Sequence, residues 1–308
     1  MRTNETRKER VASPATAIVN REMWKRTGLA ALVLALCAAA PVHAQEIAHS
    51  QFFPILARTA GAGGTRWVTD MTIHNMTSSQ LIVGTQFLIA DQANIFNPSF
   101  PNRFNLAPRE TRLIEDVLNE LYGYTTDIKG SMLVTVDPSL IPGNPTGAEI
   151  LATTRTYNTG DPAGTFGQTV PALSWAINAA ATTSVVTGVI NSTRFRSNLG
   201  IMSMSLLASI KVHYRVLDGG GGTVTQGMKT MQPASVSQWS LQSLGVPKSD
   251  GPLTIELWMD PSDVLPDPCA TNFPNMFMAY VSKVDGNPNG TGDAEFIYAA
   301  PNDPYSCR

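Results

Sequence analysis

One pattern occurs twice in this chain. Arg66-Trp67-Val68-Thr69-Asp70-Met71-Thr72-Ile73 returns about 128 positions later as Arg194-Phe195-Arg196-Ser197-Asn198-Leu199-Gly200-Ile201. Identities are few. What is shared is an aromatic, a small hydroxyl, an Asp or Asn, and two apolar residues at alternate positions. A spacing this long exceeds the roughly 20–50 residues of solenoid units and indicates a duplicated whole domain. Later landmarks keep step. Leu106-Ala107-Pro108 corresponds to Met231-Gln232-Pro233, and Val117–Gly123 to Ser240–Gly245. Gly130, Leu133 and Val134 correspond to Gly251, Leu253 and Ile255.

The amino-terminal segment reads differently. Lys25 and Arg26 precede an apolar run from Leu29 to Cys37, and small residues lead to Val42-His43-Ala44. That order is a secretory signal peptide, with cleavage expected after Ala44. The polar extension before it leaves either Met1 or Met23 as the start, and Leu36 before Cys37 argues against a lipoprotein. Residues 1–44 are therefore set apart. The remaining stretch of about 264 residues is long enough for two domains of ordinary size. The duplication assigns these to about 46–173 and 184–308, with the boundary in the weakly patterned Ser174–Thr183.

Within each half, period-2 alternation recurs and long helical periodicity is nearly absent. Trp67, Thr69, Met71 and Ile73 share one face; Ile210, Val212, Tyr214 and Val216 share another, opposite Lys211, His213 and Arg215. Such alternation marks strands with one face in a core and one in water. Strands are also expected at Leu81–Ala90, Ser131–Val136, Ala152–Tyr157, Leu253–Met259 and Met276–Val284, separated by Gly, Pro, Asn and Asp clusters. Many short strands without intervening helices predict an all-β fold: two tandem Ig-like antiparallel β-sandwiches. Val117–Gly123 reads as one or two helical turns ending on glycine and crossing between sheets.

The order of these motifs resembles a group of exported bacterial tandem β-sandwich repeat proteins, mostly uncharacterised. The resemblance is carried by Trp67-Val68-Thr69-Asp70-Met71, Pro108-Arg109-Glu110-Thr111, Val117–Gly123, Thr154–Asn158 and Thr165–Pro171. The second half contributes Phe195–Gly200, Ala279–Asp285 and Thr291-Gly292-Asp293. It covers most of residues 53–300 and departs at Val264–Pro274 and in the carboxy-terminal tail. It implies an Ig-like fold at the cell exterior and no established reaction.

Several chemistries find little support. The formal net charge is −2 and no Lys/Arg run follows Arg26, so the electrostatic footprint of nucleic-acid binding is missing. No apolar stretch after the leader has the length of a membrane span. His49, His74 and His213 lack metal-ligand spacing, and there is no G-x-S-x-G elbow. Glu110, Glu115, Asp116 and Glu120 form the densest acidic group, and they read as residues around a helical turn rather than a catalytic pair. Asp70 and Asn198 read as acceptors for nearby backbone donors. Arg155-Thr156-Tyr157-Asn158 with Gln168 reads as a sandwich corner, with a sugar- or peptide-binding patch as the alternative.

Two sites remain as expectations. Cys269 and Cys307, an even pair in an exported chain, read first as a disulfide. Asp285, Asn287, Asn289 and Asp293 resemble a calcium loop in which Phe296 stands where a bidentate Glu belongs, so calcium is a weak candidate and no other cofactor is expected. The aromatics Trp67, Phe195, Phe87 and Tyr214 are expected in cores, whereas Trp175, Trp239 and Trp258 are unassigned. The functional expectation is a non-catalytic structural or interaction protein, periplasmic, cell-surface or extracellular, whose partner is a protein or surface polymer. The alternative is a carbohydrate- or polymer-binding module, with calcium as an optional aid; a hydrolase ranks last.

Overall fold

A computed structural model describes residues 47–61, 64–97, 99–136, 149–160, 164–173, 182–264, 275–285 and 293–301. Residues 1–46, Trp175, Cys269, Cys307, Asn287 and Asn289 lie outside the described residues. The compact unit spans Gln45–Arg308. No helix among the described residues is long and apolar enough to cross a membrane.

The first half holds β1 (Ile47–Ala48), β2 (Ser50–Ala60), β3 (Arg66–Asn75), β4 (Leu81–Ile89), β5 (Asn102–Leu106) and β6 (Thr111–Ile114). A single helical turn, α1 (Val117–Glu120), follows, then β7 (Ile128–Val136), β8 (Ile150–Asn158) and β9 (Gly167–Pro171). The second half repeats the series as β10 (Thr183–Asn191), β11 (Phe195–Ser203), β12 (Ile210–Leu217), β13 (Thr223–Met231) and β14 (Val236–Ser240). A 3-10 turn at Gln242–Leu244 leads to β15 (Ser249–Met259), β16 (Phe277–Asp285), β17 (Ala294–Tyr298) and β18 (Ala300–Pro301).

Pairing among the described strands is antiparallel, and the two halves repeat one strand order. One layer of the first half runs β6-β3-β8-β9 and the other β2-β7-β4-β5; the second half matches them as β14-β11-β16-β17 and β10-β15-β12-β13. Trp67 stands opposite Asn158 in β8, and Phe195 opposite Asp285 in β16, so the two copies of the motif occupy equivalent places. In the first half the layers also join at a corner, where Thr59 pairs with Trp67. Both helical turns lie where the chain crosses between layers, and each is followed by a glycine at positive φ, 71° at Gly123 and 84° at Gly245. That left-handed position is one glycine enters without strain.

The small hydroxyl of the motif has the same work in both copies. Thr69 Oγ1 donates to the Ala57 carbonyl at 3.0 Å and accepts from the Ala57 N–H at 2.9 Å. Ser197 Oγ donates to the Ile190 carbonyl. Each stitches β3 or β11 to the first strand of the facing layer through a fully buried hydroxyl, and a buried hydroxyl needs such a partner.

Each sandwich has its own core. Met71, Ile73, Leu81, Val83, Leu106, Met132, Val134 and Ile150 meet in the first, and Leu199, Ile201, Ile210, Val212, Ile255, Leu257 and Phe277 in the second. A third apolar cluster joins the sandwiches. Ile55, Leu88, Val170 and Leu173 pack against Met202, Val236, Met276, Met278 and Tyr280. Burying a side chain of this size contributes roughly 1.5–3 kcal/mol. Hydrogen bonds frame the seam: Asp91 N–H to Val236 O at 2.9 Å, Asn94 Nδ2 to Ala234 O at 3.0 Å, and Tyr298 Oη to Pro171 O at 2.6 Å. The outer face of β2-β7-β4 is thus covered by β14-β11-β16-β17.

Trp67 and Phe195, expected in the cores, are only half-buried. Both stand at the sandwich ends, where an aromatic closes the rim while part of it meets water. The Trp67 indole N–H donates to Thr65 Oγ1, and the Phe195 ring lies under the Arg194 and Lys283 cations at 5.1 and 5.7 Å. Phe87 and Tyr214 are buried as expected.

Candidate functional site

The face of the second sandwich that points away from the first is open, and side chains on it fall into rows. Strand alternation places Lys211, His213 and Arg215 of β12 outward, between core positions 210, 212, 214 and 216. Register then puts Met228 of β13, His213, Trp258 of β15 and Thr183 of β10 in one line across the sheet. Gln226, Arg215, Glu256 and Val185 form the next. Cross-strand neighbours on one face of a sheet are about 5 Å apart and interact directly.

They do so here. The His213 imidazole stacks on Trp258, with centroids 5.3 Å apart and planes 7° from parallel. Arg215 Nε donates to Glu256 Oε2 at 2.8 Å, and the Arg215 guanidinium lies 5.9 Å from the Trp258 ring centroid. His213 Nε2 meets Asp260 Oδ2 at 3.0 Å. Hydrogen bonds from the Ser262 hydroxyl, then from His213 and the Ser262 N–H, hold the Asp260 carboxyl well below the usual carboxylate range. Hollows of about 330 and 360 Å³ open on either side of Trp258, one edged by Thr183 and Glu256, the other by Met228 and Gln226. Met228 is 46% exposed, an apolar side chain presented to solvent at the β13 end of the first row.

The acidic group near α1 is dispersed into structural tasks. Glu110 Oε2 accepts from the Ala107 N–H at 2.6 Å and Oε1 from Arg112, and these contacts lower its pKa, the backbone bond most. Asp116 pairs with Arg58 at 3.0 Å. Asp70 accepts the Asp116 N–H at 2.8 Å, as a backbone-satisfying acceptor should, whereas Asn198 faces the crevice between the sandwiches without a hydrogen-bond partner among the described residues.

At the corner motif, Asn158 Oδ1 accepts from the N–H groups of Arg66 and Gly160, both at 2.9 Å, and closes the end of the sheet. The Tyr157 hydroxyl lies beside the Asp70 carboxylate. Desolvation first, then that carboxylate, pushes its pKa up to about 12. Gln168 Oε1 accepts from Ser282 Oγ at 2.9 Å, so this residue ties the sandwiches together.

Of the calcium candidates, Asp285 and Asp293 are brought together, the Asp285 N–H donating to the Asp293 carbonyl at 2.8 Å. The Asp285 carboxylate also lies 3.7 Å from Arg194. No group of three or more His, Cys, Asp or Glu that could hold a metal ion occurs among the described residues. His74 lies on an outward face, its Nδ1 2.8 Å from Thr111 Oγ1. Trp239 is half-buried under the Lys229 ammonium at 4.9 Å.

No family model matches the chain, and no curated protein does. Among solved structures, the protein described as Thermotoga maritima 1070 is similar at 17% identity, over 41% of this chain and 98% of its own, with TM-score 0.32. A Bacteroides uniformis β-glucuronidase aligns at 10% identity over 80% of this chain and 26% of its own, with TM-score 0.14. A glycosyl hydrolase family 2 member from Bacteroides cellulosilyticus aligns at 7% identity over 81% and 27%, with TM-score 0.16. The chain spans about a quarter of the length of these two glycosidases. Likenesses this distant carry no functional weight.

Proposed function

We propose that the chain is an exported, non-catalytic interaction protein of the bacterial cell periphery. It presents the open sheet of its second sandwich to a protein partner. The observation that carries this reading is the double row of cross-strand side chains around Trp258, which mixes an exposed Met, an aromatic pair and paired charges on a rigid surface. Binding surfaces favour this blend of aromatic, Met and Arg groups. The first sandwich supports the reading as a buttress: its apolar seam with the second fixes the platform in place.

A carbohydrate-binding reading would need a free aromatic face for a sugar ring to stack on. The Trp258 ring is already stacked against His213 and flanked by Arg215. That arrangement favours a partner offering apolar and charged groups over a sugar.

A photo-crosslinking residue placed at Met228 tests the proposal in intact cells. The expected result is a discrete protein adduct at this position and none from the same residue at Leu113, which is 56% exposed on the first sandwich. Equal labelling from both positions, or none from Met228, would count against the platform.

A further inference from the structure

The seam between the sandwiches is not closed along its whole length. Beside the apolar cluster it opens into a crevice of about 130 Å³ that mixes polar side chains with Ile55, Ala57 and Val284, and its walls come from both halves. Trp67, Lys129 and Gln168 line it from the first sandwich; Arg196, Asn198 and Gln238 line it from the second. The last three stand close together because alternation along β11 turns Arg196 and Asn198 to the same side, and Gln238 pairs with Gly200 next in that row.

Arg196 is the informative member. Its Nε is buried and has no hydrogen-bond partner, and its guanidinium makes no ion pair among the described residues. Arg196 is half-buried, and leaving its buried Nε–H without a partner is costly, because that donor has lost water and gained nothing. The Lys129 ammonium, by contrast, is engaged by Asp91 at 3.2 Å. No Asp or Glu among the described residues lines the crevice. One cation is therefore left over, beside two side-chain amides that also have no hydrogen-bond partner among the described residues.

We propose that this crevice binds a small organic carboxylate through Arg196. A planar guanidinium matches a carboxylate with two parallel hydrogen bonds, and one unpaired positive charge balances a monoanion better than a dianion. The amides of Asn198 and Gln238 stand where hydroxyl groups on such an acid would meet them. The volume is on the order of a few water molecules, so the site takes a sugar acid or a short hydroxy acid rather than a large ligand. The crevice lies on the opposite side of the second sandwich from the Trp258 platform, so the two proposals stand or fall separately.

Calorimetric titration of the mature protein with D-glucuronate and with glycolate tests this, and the stronger binder of the two identifies the source class. D-glucose and sulfate serve as controls. Saturable binding of at least one carboxylate is expected below about 10 mM, with glucose silent and sulfate weaker. Arg196→Met should lower the affinity at least about tenfold. Its melting temperature without ligand should be no lower than that of the parent, because an unpartnered buried N–H has been removed. Arg196→Lys keeps the charge but loses the fork and should weaken binding about threefold or more; it decides the matter if Arg196→Met does not fold. No saturable binding of either acid, undiminished affinity in a folded Arg196 variant, or binding of glucose or sulfate as tight as that of the carboxylates would overturn the proposal.

Discussion

Strands β4 and β12 hold the same place in the two sandwiches, yet β4 is covered on both faces and β12 on only one. Their registers fix the equivalence: Leu81 pairs with Leu106 as Ile210 pairs with Met231. Ile82, Gly84, Gln86 and Leu88 therefore answer to Lys211, His213, Arg215 and Leu217. The connection after β4 lies over its outer face, where Gln86 donates to the Ile95 carbonyl at 2.7 Å and accepts the Asn97 N–H at 2.9 Å. Phe100 from that connection sits directly against Gly84, and Leu88 is buried in the seam. After β12 the chain turns at once, closed by the Asp218 carboxylate accepting from the Gly220 and Gly222 N–H groups, and the outer face stays open. Two strands in equivalent places are thus a buried joint in one sandwich and a display surface in the other. What covers a sheet, more than the strand itself, sets the chemistry of its outer face.

The contrast can be broken in order of expected effect. Leu88→Asp buries an unpaired carboxylate in the seam and should cost about 4 kcal/mol or prevent folding. Leu217→Asp, the same change at the equivalent site, should stay within about 1 kcal/mol. Urea unfolding of both variants measures the difference. Gly84→Ala is next, because a Cβ there would lie 2.6 Å from Phe100 Cβ. A loss of about 1–3 kcal/mol is expected, against about 0.5 kcal/mol for His213→Ala. Gln86→Leu removes both bonds that hold the connection down, and about 1–2 kcal/mol should be lost. The Ile95 and Asn97 amides should then exchange hydrogen faster.

The smallest effect is a pH dependence confined to the open face. Folding depresses the Asp260 pKa, so its contribution to stability is fully present above the unfolded value, about 4. It fades as pH falls through the folded value. Asp260→Asn should therefore lower stability slightly at neutral pH and flatten the acid limb, so that the variant and parent profiles converge as pH falls. A variant profile with the same stability at neutral pH and the same acid limb as the parent's would mean that the Ser262 and His213 contacts are not formed in solution.

The same contrast explains what can be read from the residues alone. β12, β8 and the end of β15 alternate between buried and half-exposed positions, so their strands stand out. β2, with Phe52-Phe53-Pro54-Ile55-Leu56, is apolar on both sides because one face meets its own core and the other the second sandwich. Strands buried on both faces lose the alternating signature, and β2 accordingly escapes a search for alternation. The Trp258 platform is half legible. His213 and Arg215 are visible as outward residues of β12, but their meeting with Trp258 and Glu256 depends on a strand pairing across some forty residues. Arg196 and Asn198 sit inside the repeat motif itself. Nothing local marks Arg196 as lacking a partner; only the way the sandwiches meet reveals it.

Hydroxyl-radical footprinting read by mass spectrometry tests the central contrast most directly, because methionines and large aromatics occur on both surfaces. If one sandwich face is sealed and the other displayed, Met228 and Trp258 will oxidise rapidly while Met202, Met278 and Tyr280 stay protected until the protein unfolds. Comparable oxidation of the two groups in the native protein would contradict the account.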